Sequence, residues 1–191
     1  MITILLPTDG KRIKELKYAV SCILNQEYTN IELIVLSSYN DLAPEILEIQ
    51  DDRFKVVRVP EEHWGYWGHK AVKWAVNDLE LKGEWLFIIG DDDVLCRWSL
   101  GEMIKNSEGV DMVHGLVIAT TRDTYVWSNR ILGATMEHGQ ITGECCIYRL
   151  SRVREVGYTE DKYEADWILI KDMMRFPHKQ INSIITVMPC L

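Results

Sequence analysis

The chain has 191 residues, 47% of them hydrophobic and 26% charged, with a net charge of −8. That is the ordinary make-up of a soluble globular protein, long enough for one domain with a substantial core. An acidic balance without a basic run disfavours a broad nucleic-acid footprint, and no window approaches the ~20 apolar residues of a membrane helix. The opening, Met1 to Pro7, is too short for a secretion signal and lacks its basic flank. Five cysteines, Cys22, Cys96, Cys145, Cys146 and Cys190, are odd in number and form no C-x-x-C. They read as reduced, mostly buried thiols of a cytoplasmic protein.

Residues 2–6 read as a first strand, stopped by Pro7. Leu16, Ala19, Val20, Ile23 and Leu24 follow the helical i, i+3, i+4 stripe. Ile31 to Leu36 is a second strand, and Pro44 suits the first position of a short helix through Ile49. Phe54 to Val59 is a third strand, closed by Pro60. Ala71, Val72, Ala75, Val76 and Leu79 mark another helix, ended at Gly83. Residues 85–89 read as a fully buried fourth strand, with Asp91, Asp92 and Asp93 at its carboxyl end. This alternation with short connections predicts right-handed βαβ units and a mainly parallel sheet. The pattern then loosens. Val110 to Ala119, Tyr125 to Ser128 and Ile141 to Leu150 read as strands, some antiparallel, before a helix around Tyr163 to Met174 and a strand around Ile181 to Val187. Repeats, low-complexity stretches and Ser/Gly linkers are absent from the sequence.

An open α/β sheet binds its ligands just outside the carboxyl ends of its strands. Three adjacent carboxylates repel each other there, and a hard cation such as Mg²⁺ or Mn²⁺, bridging to substrate phosphates, would neutralise them. The plainer alternative is a polar loop in which one Asp caps the next helix.

Several short motifs, taken in order, resemble family 2 glycosyltransferases. Pro7-Thr8 followed by Arg12, then Ser21, Leu24-Asn25-Gln26 and Glu32, matches the family's opening P-T-x-x-R, S-x-L-x-Q and E-[IL]. Gly83-Glu84-Trp85 leading to the Asp cluster resembles its G-E-[YW] strand and D-x-D motif. Glu164-Ala165-Asp166-Trp167 resembles the helix start that supplies its base. The likeness spans roughly residues 1–175. It implies a GT-A fold: an α/β, Rossmann-like, mainly parallel central sheet flanked by helices, with a small antiparallel C-terminal part. It also implies a single domain over 1–191, with a nucleotide-sugar-binding half (1–95) and an acceptor-side half (96–191).

Two departures stand out. The family's second strand usually ends D-D-G-S-x-D, whereas here the stretch is Leu36-Ser37-Ser38-Tyr39-Asn40-Asp41. Ser37 replaces the Asp that holds the nucleobase and only Asp41 is retained. Gly90 stands where the metal motif's first Asp would be, unless Asp91-Asp92-Asp93 is itself the D-x-D; in either register Asp93 is the leading metal ligand, with Asp92 and Asp91 beside it.

The implied activity is metal-dependent, inverting transfer of a sugar from a nucleotide-diphosphate sugar to an acceptor hydroxyl. Mn²⁺ or Mg²⁺ would neutralise the leaving diphosphate. Asp166 would be the base, with Glu164 as its backup; the plainer role for Asp166 is helix capping. Pro7, Thr8, Asp9, Arg12, Ser37, Asp41, Tyr66, His69, Lys70, Asp91 and Asp92 are the expected donor contacts. In the aromatic loop, Tyr66 or Trp67 would stack on a ring, and His69 or Lys70 would meet the diphosphate near a helix start. Packing under the sheet edge explains Trp64 and Trp67 equally well. His138 sits in a Gly-flanked loop suited to the acceptor, and His178 reads as a surface histidine more readily than a late metal ligand.

Two competitors remain. A sugar nucleotidyltransferase would need more glycine after the first strand than Gly10 supplies. A degenerate paralogue that binds a nucleotide sugar, or a partner, without turnover is favoured by Ser37 and disfavoured by the Asp cluster with Asp166. The acceptor stays open between a glycan, a lipid-linked sugar, a protein side chain, a small metabolite and a modified nucleobase. So short an acceptor half suits an open site, a large acceptor, or a homo-oligomer that completes the pocket.

Overall fold

Three buried strands, β1 (Ile2–Thr8), β2 (Ile31–Ser37) and β4 (Trp85–Ile88), with β3 (Phe54–Arg58) at the edge, form the parallel part of the sheet. Their register is regular: Ile2 lies opposite both Ile31 and Trp85, and Thr8 opposite Ser37. The structure, a computed structural model, describes residues 1–38, 42–123, 126–158 and 164–188; for 121–123 and 126–129 it describes the backbone. Among these, nine strands form one sheet in the order β3-β2-β1-β4-β8-β6-β9-β5, with β7 paired to β6.

Strand alternation sends side chains to two faces, and each face has its own cover. Ile2, Ile4 and Leu6 pack on Leu16, Ala19 and Ile23 of α1 (Ile13–Leu24), and on Leu100 and Met103 of α4 (Ser99–Lys105). Leu5, Ile34, Leu36 and Leu86 face Ala71, Val72, Ala75 and Val76 of α3 (His69–Asp78), in a cluster that includes Leu169, Ile170 and Met173 of α6 (Ala165–Met173). The short α2 (Pro44–Leu47) begins at its proline, as the sequence predicts, but stops before Ile49.

The second half is mixed. β6 (Met112–Asp123) runs antiparallel to β8 (Cys146–Arg149) and β7 (Val126–Leu132), and parallel to β9 (His178–Met188). β8 joins this half to β4, with Leu86 opposite Tyr148. The two-residue β5 (Val94–Leu95) pairs with Val187 and Thr186 of β9. The expected strand over 141–150 is shorter: residues 143–145 form a 3-10 turn, and extended pairing starts at Cys146. α5 (Leu150–Val156) follows at once. The expected starts at Tyr125 and Tyr163 lie outside the described residues, as does Cys190. Cys145 and Cys146 are buried, but Cys22 and Cys96 are only half-buried, which corrects the expectation for those two.

At the amino ends of the strands sits a closed polar node. Glu32, 5% exposed, accepts from the Thr3 hydroxyl (2.9 Å), the Lys55 ammonium (3.0 Å) and the Lys82 N–H (3.0 Å). Burial pushes its carboxyl up, but those donors outweigh burial and hold it below the usual glutamate value.

Candidate active site

At the carboxyl ends of β1 and β4 the chain turns sharply after Ile89. A Cβ on Gly90 would stand 2.7 Å from an Asp93 carboxylate oxygen and 3.2 Å from one of Asp92, so a side chain here would displace the acidic groups. Glycine lets the Gly90 N–H donate to Asp93 Oδ2 (3.3 Å) and curls the three carboxylates over the strand end. Glycine at position 90 therefore serves a close approach. None of the three caps α4, whose N-cap is Trp98.

The acidic residues are not equivalent. Asp91, 2% exposed, accepts from the Thr8 hydroxyl (2.6 Å) and from Arg12 Nη2 (2.5 Å). Arg12 Nη1 donates to Asp92 (2.5 Å), so one guanidinium bridges two carboxylates. Asp93 has no cation partner among the described residues. Burial first, then Asp92 and Asp91, push its carboxyl up to about 7, against the Gly90 N–H and Arg12. Burial likewise raises Asp91, although Thr8 and Arg12 oppose it.

Among the described residues, no three His, Cys, Asp or Glu side chains converge to enclose a metal. Asp93 still fits a hard cation: it is an oxygen donor in an excess of negative charge, and Mg²⁺ commonly takes one or two carboxylates with substrate phosphates.

The opposite wall comes from the second half. Asp166 is the second residue of α6 and does not occupy its N-cap, which is Glu164. Its carboxylate accepts from the Trp167 N–H (2.8 Å) and the Gly143 N–H (3.3 Å), which fixes its orientation. Glu164 lies at the rim, 3.3 Å from His138, whose ring leans on Trp167. His69 opens α3 and bonds the Tyr158 hydroxyl through Nδ1 (3.0 Å). Burial holds that imidazole below its usual value, against the pull of Asp166.

These walls bound one cleft of about 620 Å³, reached by Arg12, Asp91, Asp92, Asp93, His69 and Asp166. Pro7, Trp67, His138 and Glu164 also line it. The other expected donor residues stand behind or beside it. Thr8 supports Asp91, and Asp9 pairs with Lys11 (2.8 Å). Ser37 is buried opposite Thr8 and donates to the Ser38 carbonyl (3.0 Å). Lys70 follows His69 in α3, and Tyr66 sits edge-on to Trp67. Asp41 lies outside the described residues. His178 is exposed and bonds the Phe176 carbonyl (3.0 Å).

Trp67 is the one described non-glycine residue with positive φ (φ 50, ψ 22), and its indole is 64% exposed. A non-glycine residue persists in that conformation only where its surroundings enforce it.

Among the cleft residues that escape the sequence reading are Glu144 and Tyr148. Their one signal is a lone acidic side chain inside the otherwise buried run Ile141 to Tyr148.

The fold is that of GT-A glycosyltransferases. The chain matches TarS from S. aureus with a TM-score of 0.75 at 14% identity, over 99% of this chain and 36% of that one. It matches TarS 1–349 in complex with UDP-GlcNAc with a TM-score of 0.74 at 14% identity, over 97% and 57%. The mannosyltransferase PcManGT from Pyrobaculum calidifontis, in complex with GDP-Man and Mn²⁺, gives 0.68 at 15% identity, over 97% and 56%. The chain thus spans between 36% and 57% of the length of these structures. No curated protein sequence matches it. The model for "Glycosyl transferase family 2" matches residues 3–167, and the chain belongs to that family. No helix among the described residues is long and apolar enough to cross a membrane.

Proposed function

We propose that this chain is a metal-dependent, inverting glycosyltransferase that moves a sugar from a nucleotide-diphosphate sugar to an acceptor hydroxyl. The observation that carries the reading is that Asp93 and an oriented Asp166 line one cleft. The UDP-GlcNAc, GDP-Man and Mn²⁺ in the similar structures support the donor class and the cation.

Residues 1–95 would form the nucleotide-sugar half of one domain and residues 96–191 its acceptor side. Pro7, Thr8, Asp9 and Ser37 lie where β1 and β2 end and, with Asp41 further along the sequence, would meet the nucleoside. Lys70 and the α3 N-terminus favour the diphosphate, and Tyr66 and Trp67 offer a ring surface. Asp93, with Asp91 and Asp92 beside it, would hold Mg²⁺ or Mn²⁺, whose Lewis acidity stabilises the leaving diphosphate. Asp166 would take the acceptor proton as the acceptor oxygen attacks the anomeric carbon and the bond to the diphosphate oxygen breaks. A single carboxylate in line with that oxygen gives direct displacement, hence inversion. The unpaired thiols among the described residues fit a reducing, cytoplasmic setting.

A second reading has its own observation. Arg12 covers Asp91 and Asp92 as a cation would, which suits a binder of nucleotide sugars that has dispensed with metal and turnover. A thermal-shift panel of UDP-, GDP-, CMP- and dTDP-sugars with and without Mn²⁺ separates the two, since a ligand stabilises the state it binds. Metal-dependent stabilisation by one class, lost in Asp93→Ala, supports the transferase. Stabilisation indifferent to metal, without release of nucleotide over time, supports the binder.

A further inference from the structure

On the donor-site reading, Asp93 and Asp166 account for the two edges of the cleft but leave its floor without a role. That floor is built by the turn Gly143–Cys145 and the start of β8. Glu144 turns its carboxyl toward the cleft, and the described hydrogen bond to that carboxyl comes from the Thr142 hydroxyl. No Lys, Arg or His pairs with it among the described residues. Its charged neighbours are Asp93 on one side and Asp166 on the other. Its main chain is fixed, because the Thr186 hydroxyl of β9 donates to the Glu144 carbonyl (2.6 Å). Asp166 stands close: a Cβ on Gly143 would lie 3.3 Å from Asp166 Cβ.

The second observation is independent of the acidic groups. Tyr148 lines the same cleft, is 0% exposed, and its hydroxyl has no hydrogen-bond partner among the described residues. The Cys146 thiol beside it is a weak partner at best. A buried phenol normally finds a partner, because an unmet hydroxyl inside a protein is costly. One floor therefore presents a carboxyl that takes the Thr142 hydroxyl and its own N–H but has acceptor capacity to spare, and a hydroxyl beside a weakly bonding thiol. An anion would be repelled by three carboxylates. A flat apolar ring would leave both groups unmet. A neutral ring carrying adjacent hydroxyls answers both, since each hydroxyl donates and accepts.

We propose that Glu144 and Tyr148 seat the transferred sugar ring, hydrogen-bonding its hydroxyls between the diphosphate side at Asp93 and the base side at Asp166. This rests on the donor-site reading and adds the residues that would tell one sugar from another. A site built to hydrogen-bond hydroxyls rejects analogues that lack them.

The test compares UDP, GDP and dTDP, each alone and as its hexose and N-acetylhexosamine conjugates, by calorimetric titration with Mn²⁺ present. Wild type, Glu144→Gln, Glu144→Leu and Tyr148→Phe are measured side by side. The expected result is equal affinity of all four for the free nucleotide. The extra affinity that the preferred sugar adds in wild type falls about 10-fold or more in Glu144→Leu and about 3- to 10-fold in Tyr148→Phe. Glu144→Gln, which keeps a donor and an acceptor, should retain more of it than Glu144→Leu. If Glu144→Leu and Tyr148→Phe keep the full wild-type increment, or no sugar adds any, the assignment is overturned while the donor site stands. Loss of nucleotide affinity together with Mn²⁺ dependence in Glu144→Gln would instead make Glu144 a cation holder, and also overturn it. A wild type that binds no nucleotide at all defeats the donor-site reading and this one with it.

Discussion

The two ends of the parallel strands treat the same chemical group in opposite ways. At the amino ends, Glu32 is buried and fully answered: a hydroxyl, an ammonium and a backbone N–H converge on it, and its carboxyl is held below the usual range. At the carboxyl ends, Asp93 is equally enclosed, yet its neighbours add negative charge and its carboxyl is pushed up. Glu144 lies in the same surroundings, and burial, Asp93 and Asp166 raise it as well. Burial therefore does not distinguish structure from function here. What distinguishes them is whether the fold itself supplies the compensating partners. One end is finished by the chain; at the other, the described residues supply Asp93 with no cation.

That contrast can be broken at either end. The largest effect is expected from Asp166→Asn, which keeps the shape and removes the proposed base: release of nucleotide from the donor should fall about 10²- to 10⁴-fold, with the urea midpoint little changed. Next comes Glu32→Ala, which leaves the Thr3 and Lys55 donors unmatched. It should lower the unfolding free energy by about 1–3 kcal/mol, read from urea curves, without altering nucleotide affinity. Asp93→Asn should do the reverse. In cation-free buffer, relieving like-charge repulsion is expected to raise stability by about 0.5–2 kcal/mol while metal-dependent binding is lost. A mutant destabilised at Asp93, or neutral at Glu32, would show that the two ends do not differ as described.

A smaller effect sharpens the comparison with pH. His114, on β6, is 1% exposed and its Nδ1 has no partner among the described residues. Burial, and then His178, depress it to about 4, against the Gly133 carbonyl. Because the folded value lies below the unfolded one, its contribution is complete above about pH 6.5 and is lost as pH falls toward 4. Roughly 0.7 kcal/mol should go between pH 7 and 6. Glu32 has the same sign in a lower window: its stabilisation is present above the usual glutamate value and lost as pH falls through its depressed one. The raised carboxyls of Asp93, Asp91 and Glu144 have the opposite sign and gain stability as pH falls, so each contribution is read as a difference. The wild-type urea midpoint minus that of His114→Gln should shrink from pH 7 to 4, and wild type minus Glu32→Gln should shrink from pH 5 to 3.

The parallel half was legible because its signals are local. Runs such as Ile2 to Leu6 and Ile31 to Leu36 are buried on both faces, and the Leu16, Ala19, Val20, Ile23 stripe points at one of them. Each element there follows from its own residues. The other half depends on partners distant in sequence. β6 takes β8 over residues 112–114, β7 over 117–123 and β9 over 112–119, and no local periodicity encodes that choice. The stretch Ile141 to Leu150 has a strand's composition, but Gly143 and Asp166 approach closely and its first part turns. Glu144 became visible only once that turn aimed it at the cleft. Likewise, Arg12 reads as a donor contact, and its bridge across Asp91 and Asp92, some eighty positions on, is a product of folding.

The short ladder between β5 and β9 has a consequence for how the site is made. Residues 184–187 accept from Cys96 N–H and the Ser99 hydroxyl, pair with Val94 and Leu95, and reach Glu144 through Thr186. One stretch of backbone thus clasps both the Asp93 turn and the Glu144 turn. It is translated about ninety residues after Asp93, a delay of roughly 5–20 s at 5–20 residues per second. A nascent chain therefore carries its acidic turn unclasped while the ribosome completes the rest. A chain truncated before β9 would keep Asp91, Asp92, Asp93, Glu144 and Asp166 yet lack the strand that holds them in register.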